Sequence, residues 1–249
     1  MSIMAQESAQ LSVFDAVSRE PDDPVPEITT QQLFDVLASG ETIVFDTRPF
    51  DEFALGHIDG SVSLAAKPDV PMSVYVSDVA EAGRLLKENK SAGMVLYCNG
   101  PFCKKSKLLA AELVAAGYLN VRRYQLGIPM WRALGGVMAL EPAGLRHILA
   151  KDQTAVFIDT RDPQAFAVRN IPGSVNLPPT DLVSGIKAAK DDGRLPMTDH
   201  NTRIVIFGSN GHEAREVAKA ITAEAFHNVA FFDGSFEQLM SRPVFMRRL

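Results

Sequence analysis

The stretch Met94-Val-Leu-Tyr-Cys98-Asn-Gly-Pro-Phe-Cys103-Lys-Lys-Ser106 decides how this chain folds. Residues 94–97 form a short apolar run, which predicts a buried strand. Apolar residues follow at helical spacing, namely Leu108, Leu109, Ala111 and Leu113. The pattern therefore predicts a strand, a tight loop with Cys98 at its mouth, and a helix.

Both cysteines of the chain lie in this loop. A helix start directs unpaired N–H groups and a positive dipole end towards the loop, and both stabilise a thiolate, the reactive form of cysteine. Lys104, Lys105 and Lys107 add a positive field that suits an anionic donor or product. A structural interpretation competes with this one, since free cysteine is often a small buried hydrophobe and the lysines could belong to a solvated helix face.

The composition excludes several classes of protein. The 249 residues suffice for two domains, and 46% hydrophobic with 22% charged residues is typical of a soluble globular chain. A net charge of −5 argues against nucleic acid or an anionic membrane as a partner. We find no apolar run long enough to span a bilayer, no secretion signal and no zinc-type spacing of Cys and His. We therefore expect a cytoplasmic protein with no metal and no cofactor.

Local signals predict where two helices begin or end. Residues 29–32 resemble a capping box before apolar residues at helical spacing, Gly40 ends that helix, and Gly117 ends the helix after Cys98.

Strand and helix patterns alternate along the chain, which predicts an α/β fold with a parallel sheet covered by helices on both faces. The run 42–45 is a second short strand, and Asp46 follows it directly. Ligands of such sheets bind at the carboxyl ends of the strands. We therefore expect Asp46 and Cys98 to face one crevice.

The pattern repeats internally. Asp46-Thr-Arg48 and Gly60-Ser-Val62 recur 113 positions later as Asp159-Thr-Arg161 and Gly173-Ser-Val175. This predicts two copies of one domain. The predicted organisation is an N-terminal arm and linker over 1–26, with a short helix near Leu11–Val17, then domains over 27–140 and 141–249.

The stretch from Asp46 to Val62 resembles the first motif of the rhodanese family, an Asp-x-Arg followed by Glu and then Gly-His-Ile-x-Gly. Tyr97-Cys98, residues 117–121 and residues 127–131 resemble the rest of that pattern. The resemblance is clear over about residues 27–138 and weaker over about residues 142–240. It implies two rhodanese-like domains, each with a five-stranded parallel sheet and helices on both faces.

The resemblance also implies sulfurtransferase chemistry, in which Cys98 carries sulfane sulfur as a persulfide. The donor would be thiosulfate or a persulfide, and the acceptor a thiol, a cyanide-like nucleophile or a protein. The N–H groups of residues 99–104 would cradle the sulfur or its oxyanion. The residues implied for the substrate-binding loop are Asn99, Gly100, Pro101, Phe102, Lys104, Lys105 and Ser106.

The loop departs from the usual family sequence Cys-x-x-Gly-x-Arg-Ser. It is two residues longer between Cys98 and Ser106, has lysine where arginine is common, and resembles a subgroup with Cys-x-Gly-Pro-x-Cys. We therefore expect a wider cradle and a donor that need not be thiosulfate. Cys103 is an alternative nucleophile, or could attack a Cys98 persulfide and close a disulfide. Cys98 is favoured because it directly follows the strand.

The second repeat lacks the cysteine. Gly208 stands in the place of Cys98, and Arg169-Asn170 stand in the place of Gly56-His57. Ser209 is a poor substitute for a thiol nucleophile. We therefore expect the second domain to be catalytically silent and to serve in packing, in shaping the cleft or in binding a partner.

Three residues of the first motif are candidates for a supporting role. Asp46 can cap the following turn, Arg48 can pair with Glu52, and the repeat of Asp-Thr-Arg in the silent domain favours a structural function for both. His57 is a lone histidine after a glycine, a context that is more often structural than catalytic. Trp131 is most simply a core residue.

Two other functions compete with sulfur transfer. Cys98 and Cys103 could form a thiol/disulfide redox sensor or serve a sulfur-carrier partner. Alternatively, Cys98 and Lys104 imitate the Cys-x5-Arg loop of cysteine phosphatases and arsenate reductases. Lysine lacks the planar fork that grips a phosphoryl group, so this alternative is less favoured.

Overall fold

The structure, a computed structural model, describes residues 24–68, 70–71 and 75–241. The predicted helix near Leu11–Val17 lies outside these residues, as does most of the predicted arm. The helices and strands of the first repeat are α1 (Thr30–Ser39), β1 (Ile43–Asp46), α2 (Phe50–Leu55), β2 (His57–Ile58), β3 (Val62–Ser63), α3 (Asp78–Leu85), β4 (Gly93–Tyr97), α4 (Lys104–Ala115), β5 (Asn120–Tyr124) and α5 (Gly127–Ala133).

The second repeat follows a similar order, but it begins with an extra strand, β6, has no counterpart of β2, and has a short 3-10 turn before α8. Its helices and strands are β6 (Met138–Leu140), α6 (Pro142–Lys151), β7 (Val156–Asp159), α7 (Pro163–Val168), β8 (Val175–Asn176), α8 (Leu182–Asp191), β9 (Ile204–Gly208), α9 (Gly211–Ala223), β10 (Val229–Ser235) and α10 (Phe236–Met240).

Each repeat contains a parallel sheet. Its central strand is β4 in the first repeat, just before the cysteine loop, and β9 in the second, just before the equivalent loop. The first sheet has the order β3-β1-β4-β5, and Glu27 adds a single parallel bridge to Arg123 beside β5. The second has the order β2-β6-β10-β9-β7-β8. The second repeat thus has the five parallel strands that were expected, whereas the first has four and a bridge.

Strand β2 belongs to the first repeat by sequence but pairs with the second sheet. It runs antiparallel to β6, with His57 opposite Ala139 and Ile58 opposite Met138. Strand β6 itself lies inside the segment that the sequence assigned to the first domain, yet it pairs with β10. The domain boundary at residue 140 stays a prediction.

Local signals in the sequence explain where the helices begin and end. Helix α1 begins at a capping box formed by Thr29 and Gln32 and ends at Gly40 in the left-handed conformation, as the sequence predicts. Helix α4 precedes Gly117, which has a φ of +88°. Helix α8 has no side-chain hydrogen bond at its N-cap, Asp181, and the sequence did not predict this helix.

The two repeats share an apolar core. One cluster of buried residues combines Leu33, Val95 and Trp131 of the first repeat with Leu145 and Phe207 of the second. Trp131 is therefore a core residue, as predicted. Burial of apolar surface between the repeats is the main force that holds such halves together.

Polar contacts also join the repeats. Arg215 of α9 pairs with Asp59 at 2.8 Å, and the Arg132 Nε donates to the His227 carbonyl at 2.5 Å. Burial raises the pKa of Asp59, although the nearby Arg215 opposes that shift. In the part of the chain that the structure describes, no helix combines the length and apolar character needed to cross a membrane.

Candidate functional site

Cys98 lies at the carboxyl end of β4, the strand between β1 and β5. It is 3% exposed, and Cys103 is the N-cap residue of the twelve-residue helix α4. The strand, loop and helix predicted from the sequence are therefore confirmed. The loop between them brings the positive end of a helix close to a nearly buried sulfur.

Cys98 and Cys103 form a disulfide in this structure. Their Cα atoms are 6.2 Å apart, which is within the range of disulfides in proteins. The Cys103 N–H donates to the Gly100 carbonyl at 3.0 Å, and this turn folds the loop back towards Cys98. The sequence left a disulfide between these residues open as an alternative, and the structure contains it.

Gly127 lets the β5–α5 junction pack directly against the cysteine loop. Its φ is +62°, and a Cβ there would lie 2.4 Å from both the Cys98 carbonyl oxygen and the Gly100 nitrogen. The next residue, Ile128, donates its N–H to the Cys98 carbonyl at 3.3 Å. The sequence contains no sign of this contact, because the two segments are distant along the chain.

The residues predicted to form the substrate cradle differ in exposure. Phe102 is 98% exposed and Lys104 is exposed, whereas Ser106 is buried on the inner side of α4. Lys105 lies 3.4 Å from Asp78, which partly neutralises its charge. Of these two lysines, Lys104 therefore contributes more positive charge at the loop than Lys105 does.

Fewer N–H groups of residues 99–104 are available to bind sulfur or an oxyanion than the resemblance implies. Pro101 has no N–H, and the Cys103 N–H already bonds to Gly100. The amides of residues 104–106 lie in the first turn of α4, where a helix has no carbonyl partners of its own. We infer that these amides are the main donors for an anion at the loop.

Glu52 bonds a residue of the cysteine loop, and not Arg48, the partner that the sequence predicts. The Asn99 Nδ2 donates to the Glu52 Oε2 at 2.6 Å, which ties the cysteine loop to helix α2. Arg48 instead bonds Asp46, with its Nη2 2.6 Å from the Asp46 Oδ2. The expected pairing of Arg48 with Glu52 is therefore wrong, because the Arg48 guanidinium binds the Asp46 carboxylate.

Asp46 does not face the crevice. It is fully buried and accepts hydrogen bonds from Arg48 and from the Tyr97 hydroxyl at 2.6 Å. Burial and the Asp46 carboxylate raise the pKa of Tyr97. For Arg48, burial opposes the charge, but the hydrogen bond and attraction of Asp46 outweigh it and raise the pKa. The expectation that Asp46 would face a shared crevice with Cys98 is wrong.

The second repeat contains the same buried pair. Arg161 donates to Asp159 at 2.6 Å and to the Arg169 carbonyl at 2.5 Å, as Arg48 does to the Gly56 carbonyl at 2.7 Å. A pair that is identical in a domain without cysteine has a structural function. It fixes the turn after the first strand of each repeat.

His57 is also a structural residue by its contacts. Its ring stacks on Phe53 at 3.8 Å, and its Nδ1 lies 3.0 Å from the Phe53 carbonyl oxygen. Burial lowers its pKa to about 4, so the ring is neutral at pH 7. Asn170 makes the equivalent bond to the Phe166 carbonyl at 3.0 Å in the second repeat.

The loop of the second repeat has no space for the same chemistry. Only residues 209 and 210 separate Gly208 from helix α9, whereas residues 99–103 separate Cys98 from α4. A Cβ at Gly208 would lie 1.9 Å from the Thr160 Oγ1. This geometry supports the prediction that the second domain is silent. Across the described residues, no three His, Cys, Asp or Glu side chains are placed to hold a metal ion.

Comparisons with known proteins agree with this architecture. The model of the rhodanese-like domain family matches residues 29–134 and again residues 141–242. GlpE of Pseudomonas syringae, a thiosulfate sulfurtransferase, is 31% identical over 87 residues, which are 35% of this chain and 74% of GlpE. The HTH-type transcriptional regulator Rv0324 of Mycobacterium tuberculosis is 27% identical over 124 residues, which are 50% of this chain and 49% of the regulator.

Among solved structures, the 3-mercaptopyruvate sulfotransferase SseA of Escherichia coli aligns with a TM-score of 0.38 and 20% identity. The alignment covers 85% of this chain and 99% of SseA. Since the family model matches most of the chain and does so twice, the assignment rests on that match. This chain belongs to the rhodanese-like domain family and carries two copies of the domain.

Proposed function

We propose that the protein is a sulfurtransferase in which Cys98 carries sulfane sulfur as a persulfide. The observation that supports this most directly is the position of Cys98, at the carboxyl end of β4 and under the N-terminus of α4. Relatives of the chain include thiosulfate sulfurtransferases, so sulfur transfer in general is supported by similarity as well.

The surroundings of Cys98 suit an anionic sulfur. The first-turn amides of α4 and the helix dipole stabilise negative charge at the loop, and Lys104 adds an exposed positive charge. In the oxidised loop Cys98 is almost completely buried, so little water reaches its sulfur. Fixed donors in a site with little water stabilise a charge more strongly than solvent-exposed groups do.

The proposed transfer has two displacement steps. The Cys98 thiolate attacks the outer sulfur of thiosulfate or the terminal sulfur of a small persulfide, and sulfite or a thiolate leaves with the electron pair of the broken S–S bond. A thiol, cyanide or protein nucleophile then attacks the terminal sulfur of the Cys98 persulfide, and the Cys98 thiolate is released.

The structure holds the oxidised form of the loop, so Cys98 must be reduced before it can take up sulfur. An external dithiol can do this by thiol–disulfide exchange. We therefore propose that the protein works in a reducing compartment such as the cytoplasm, where thiols are kept reduced.

The test is the intact mass of reduced chains, freed of reductant without air, after brief exposure to thiosulfate or to a small persulfide. We expect the Cys103→Ser chain to gain one sulfur, about 32 Da, and to lose it on addition of cyanide. The Cys98→Ser chain should gain none. Absence of the gain in Cys103→Ser with both donors would contradict the proposed function.

A second candidate function is a thiol/disulfide switch, which the disulfide in this structure specifically favours. A switch would lose its response to oxidant in Cys103→Ser and would take up no sulfur from either donor. The same mass measurement therefore separates the two functions.

A further inference from the structure

The Cys98–Cys103 bond shows that the two sulfurs of the loop meet within this fold. The turn closed by the Cys103 N–H and the Gly100 carbonyl sets this approach, at a Cα separation of 6.2 Å. Cys103 is only partly buried, whereas Cys98 is 3% exposed. Cys103 therefore lies on the solvent side of Cys98 in the oxidised loop.

We propose that Cys103 resolves the Cys98 persulfide and that the protein thereby releases its sulfur as sulfide. This inference rests on the proposed function, since it needs the persulfide as its substrate. It assigns to the chain a further activity, the reduction of sulfane sulfur to hydrogen sulfide. A simple sulfurtransferase would instead pass the sulfur on at the same oxidation level.

The resolving step balances without any other reagent. The terminal sulfur of the persulfide takes a proton from water and the Cys103 thiolate attacks the Cys98 Sγ. The bond between Cys98 Sγ and the terminal sulfur breaks, and hydrosulfide leaves with the electron pair. The sulfane sulfur is reduced to sulfide, while the two cysteine sulfurs are oxidised to the disulfide that the structure contains. A dithiol reductant then returns both cysteines to thiols and completes the cycle.

The position of Cys103 favours this step over transfer to an external acceptor. As the N-cap residue of α4, Cys103 lies at the positive end of a twelve-residue helix, where a thiolate is stabilised. A tethered nucleophile acts at an effective concentration on the order of millimolar for flexible tethers and far higher for oriented groups. The first-turn amides of α4 also stabilise the departing hydrosulfide.

The composition of the chain makes the stoichiometry simple to read. The chain has two cysteines in total, and both are in this loop. One sulfide released must therefore appear together with the loss of both thiols. A second thiol pair that could confuse this relation does not exist in the sequence.

The experiment is a single turnover without reductant or air. The reduced wild type is mixed with an equal amount of a small persulfide or thiosulfate, and sulfide, free thiols and intact mass are measured. We expect about one sulfide per chain, and a final mass two hydrogens below that of the reduced chain. Cys103→Ser should keep the added sulfur and release no sulfide.

Two more measurements complete the test. Cys103→Ala should behave as Cys103→Ser does, and circular dichroism of both variants confirms that the fold is intact. With limiting cyanide in place of a reductant, Cys103→Ser should form severalfold more thiocyanate than the wild type, because its persulfide is not diverted to the disulfide.

The possible results separate this inference from the proposed function. If the wild type keeps the added sulfur and releases no sulfide, as the Cys103 variants do, Cys103 is not a resolving thiol and the inference is overturned while persulfide transfer stands. If neither Cys103 variant takes up sulfur from either donor, the proposed function fails and the inference fails with it.

Discussion

The two repeats have similar parallel sheets and the same buried Asp–Arg pair, and they differ at the loop after the central strand. In the first repeat residues 99–103 fill this loop, and in the second only residues 209 and 210 do. The long loop has space for a second sulfur beside Cys98. The short loop leads directly into helix α9, which begins with Asn210 as its cap.

Comparison of the two repeats separates the residues that maintain the fold from those that belong to the candidate site. What both repeats keep, the Asp–Arg pair and the bond to the carbonyl four residues before His57 or Asn170, is structural. What only the first repeat has is the pair of cysteines, and we assign this pair to the chemistry. Four predictions test this division.

The largest effect is expected at the nucleophile. Cys98→Ser should reduce sulfur transfer from thiosulfate to cyanide by about three orders of magnitude or more, because a serine hydroxyl does not replace the thiolate. Ser209→Ala is the matched control in the second repeat and should leave kcat/KM unchanged. Steady-state thiocyanate formation measures both, and a comparable loss in Ser209→Ala would show that the second loop is not silent.

The next effect concerns the support of the loop. Gly127→Ala should lower the free energy of unfolding by about 3 kcal/mol and transfer activity at least tenfold, because its Cβ collides with the backbone of Cys98 and Gly100. Gly135→Ala is the control, since Gly135 also has a positive φ, +83°, but open space around it. It should cost only about 1 kcal/mol and leave activity intact.

Urea unfolding and thiocyanate formation test this pair of variants. Equal losses of stability and activity in Gly127→Ala and Gly135→Ala would mean that backbone strain, and not contact with the cysteine loop, explains the role of Gly127.

The third prediction concerns how the stability of the protein depends on pH through His57. The folded state holds the pKa of His57 at about 4, below the ordinary 6.5, so the unfolded chain binds more protons between these values. Stability should therefore fall as the pH drops from 6.5 to 4, by about 3 kcal/mol for this group. His57→Asn, which copies Asn170, should lack this part of the pH dependence and keep its sulfur transfer.

The measurement is urea unfolding of wild type and His57→Asn at several pH values in that window. Because other groups titrate in both proteins, the difference between the two curves isolates His57. A large loss of transfer at pH 7 in His57→Asn would place the histidine in the chemistry.

The smallest effect is expected from surface charge. Lys104→Gln should raise the KM for thiosulfate about twofold at low salt, and the effect should vanish at high salt as exposed charges are screened. Lys151→Gln, an exposed lysine of the second repeat, is the control and should change nothing. A salt-independent rise in KM for Lys104→Gln would indicate direct contact with the donor.

Much of the fold was predictable because its signals are local. The capping box of α1, the apolar run before Cys98 and the glycine after α4 predicted elements that the structure confirms. The internal repeat of Asp-Thr-Arg predicted two copies of one domain, and the family match confirms them. Strands β2 and β6 and helices α8 and α10 were not predicted.

Local sequence patterns were sufficient to predict the alternation of strands and helices, the two repeats and the loop that holds both cysteines. The burial of Asp46 with Arg48, the pairing of β2 with the sheet of the other repeat and the contact of Gly127 with Cys98 could be seen only in the folded protein. These contacts join segments that are far apart along the chain. Periodicity and capping act between near neighbours, whereas burial and close backbone contact depend on segments that meet only when the sheets pack.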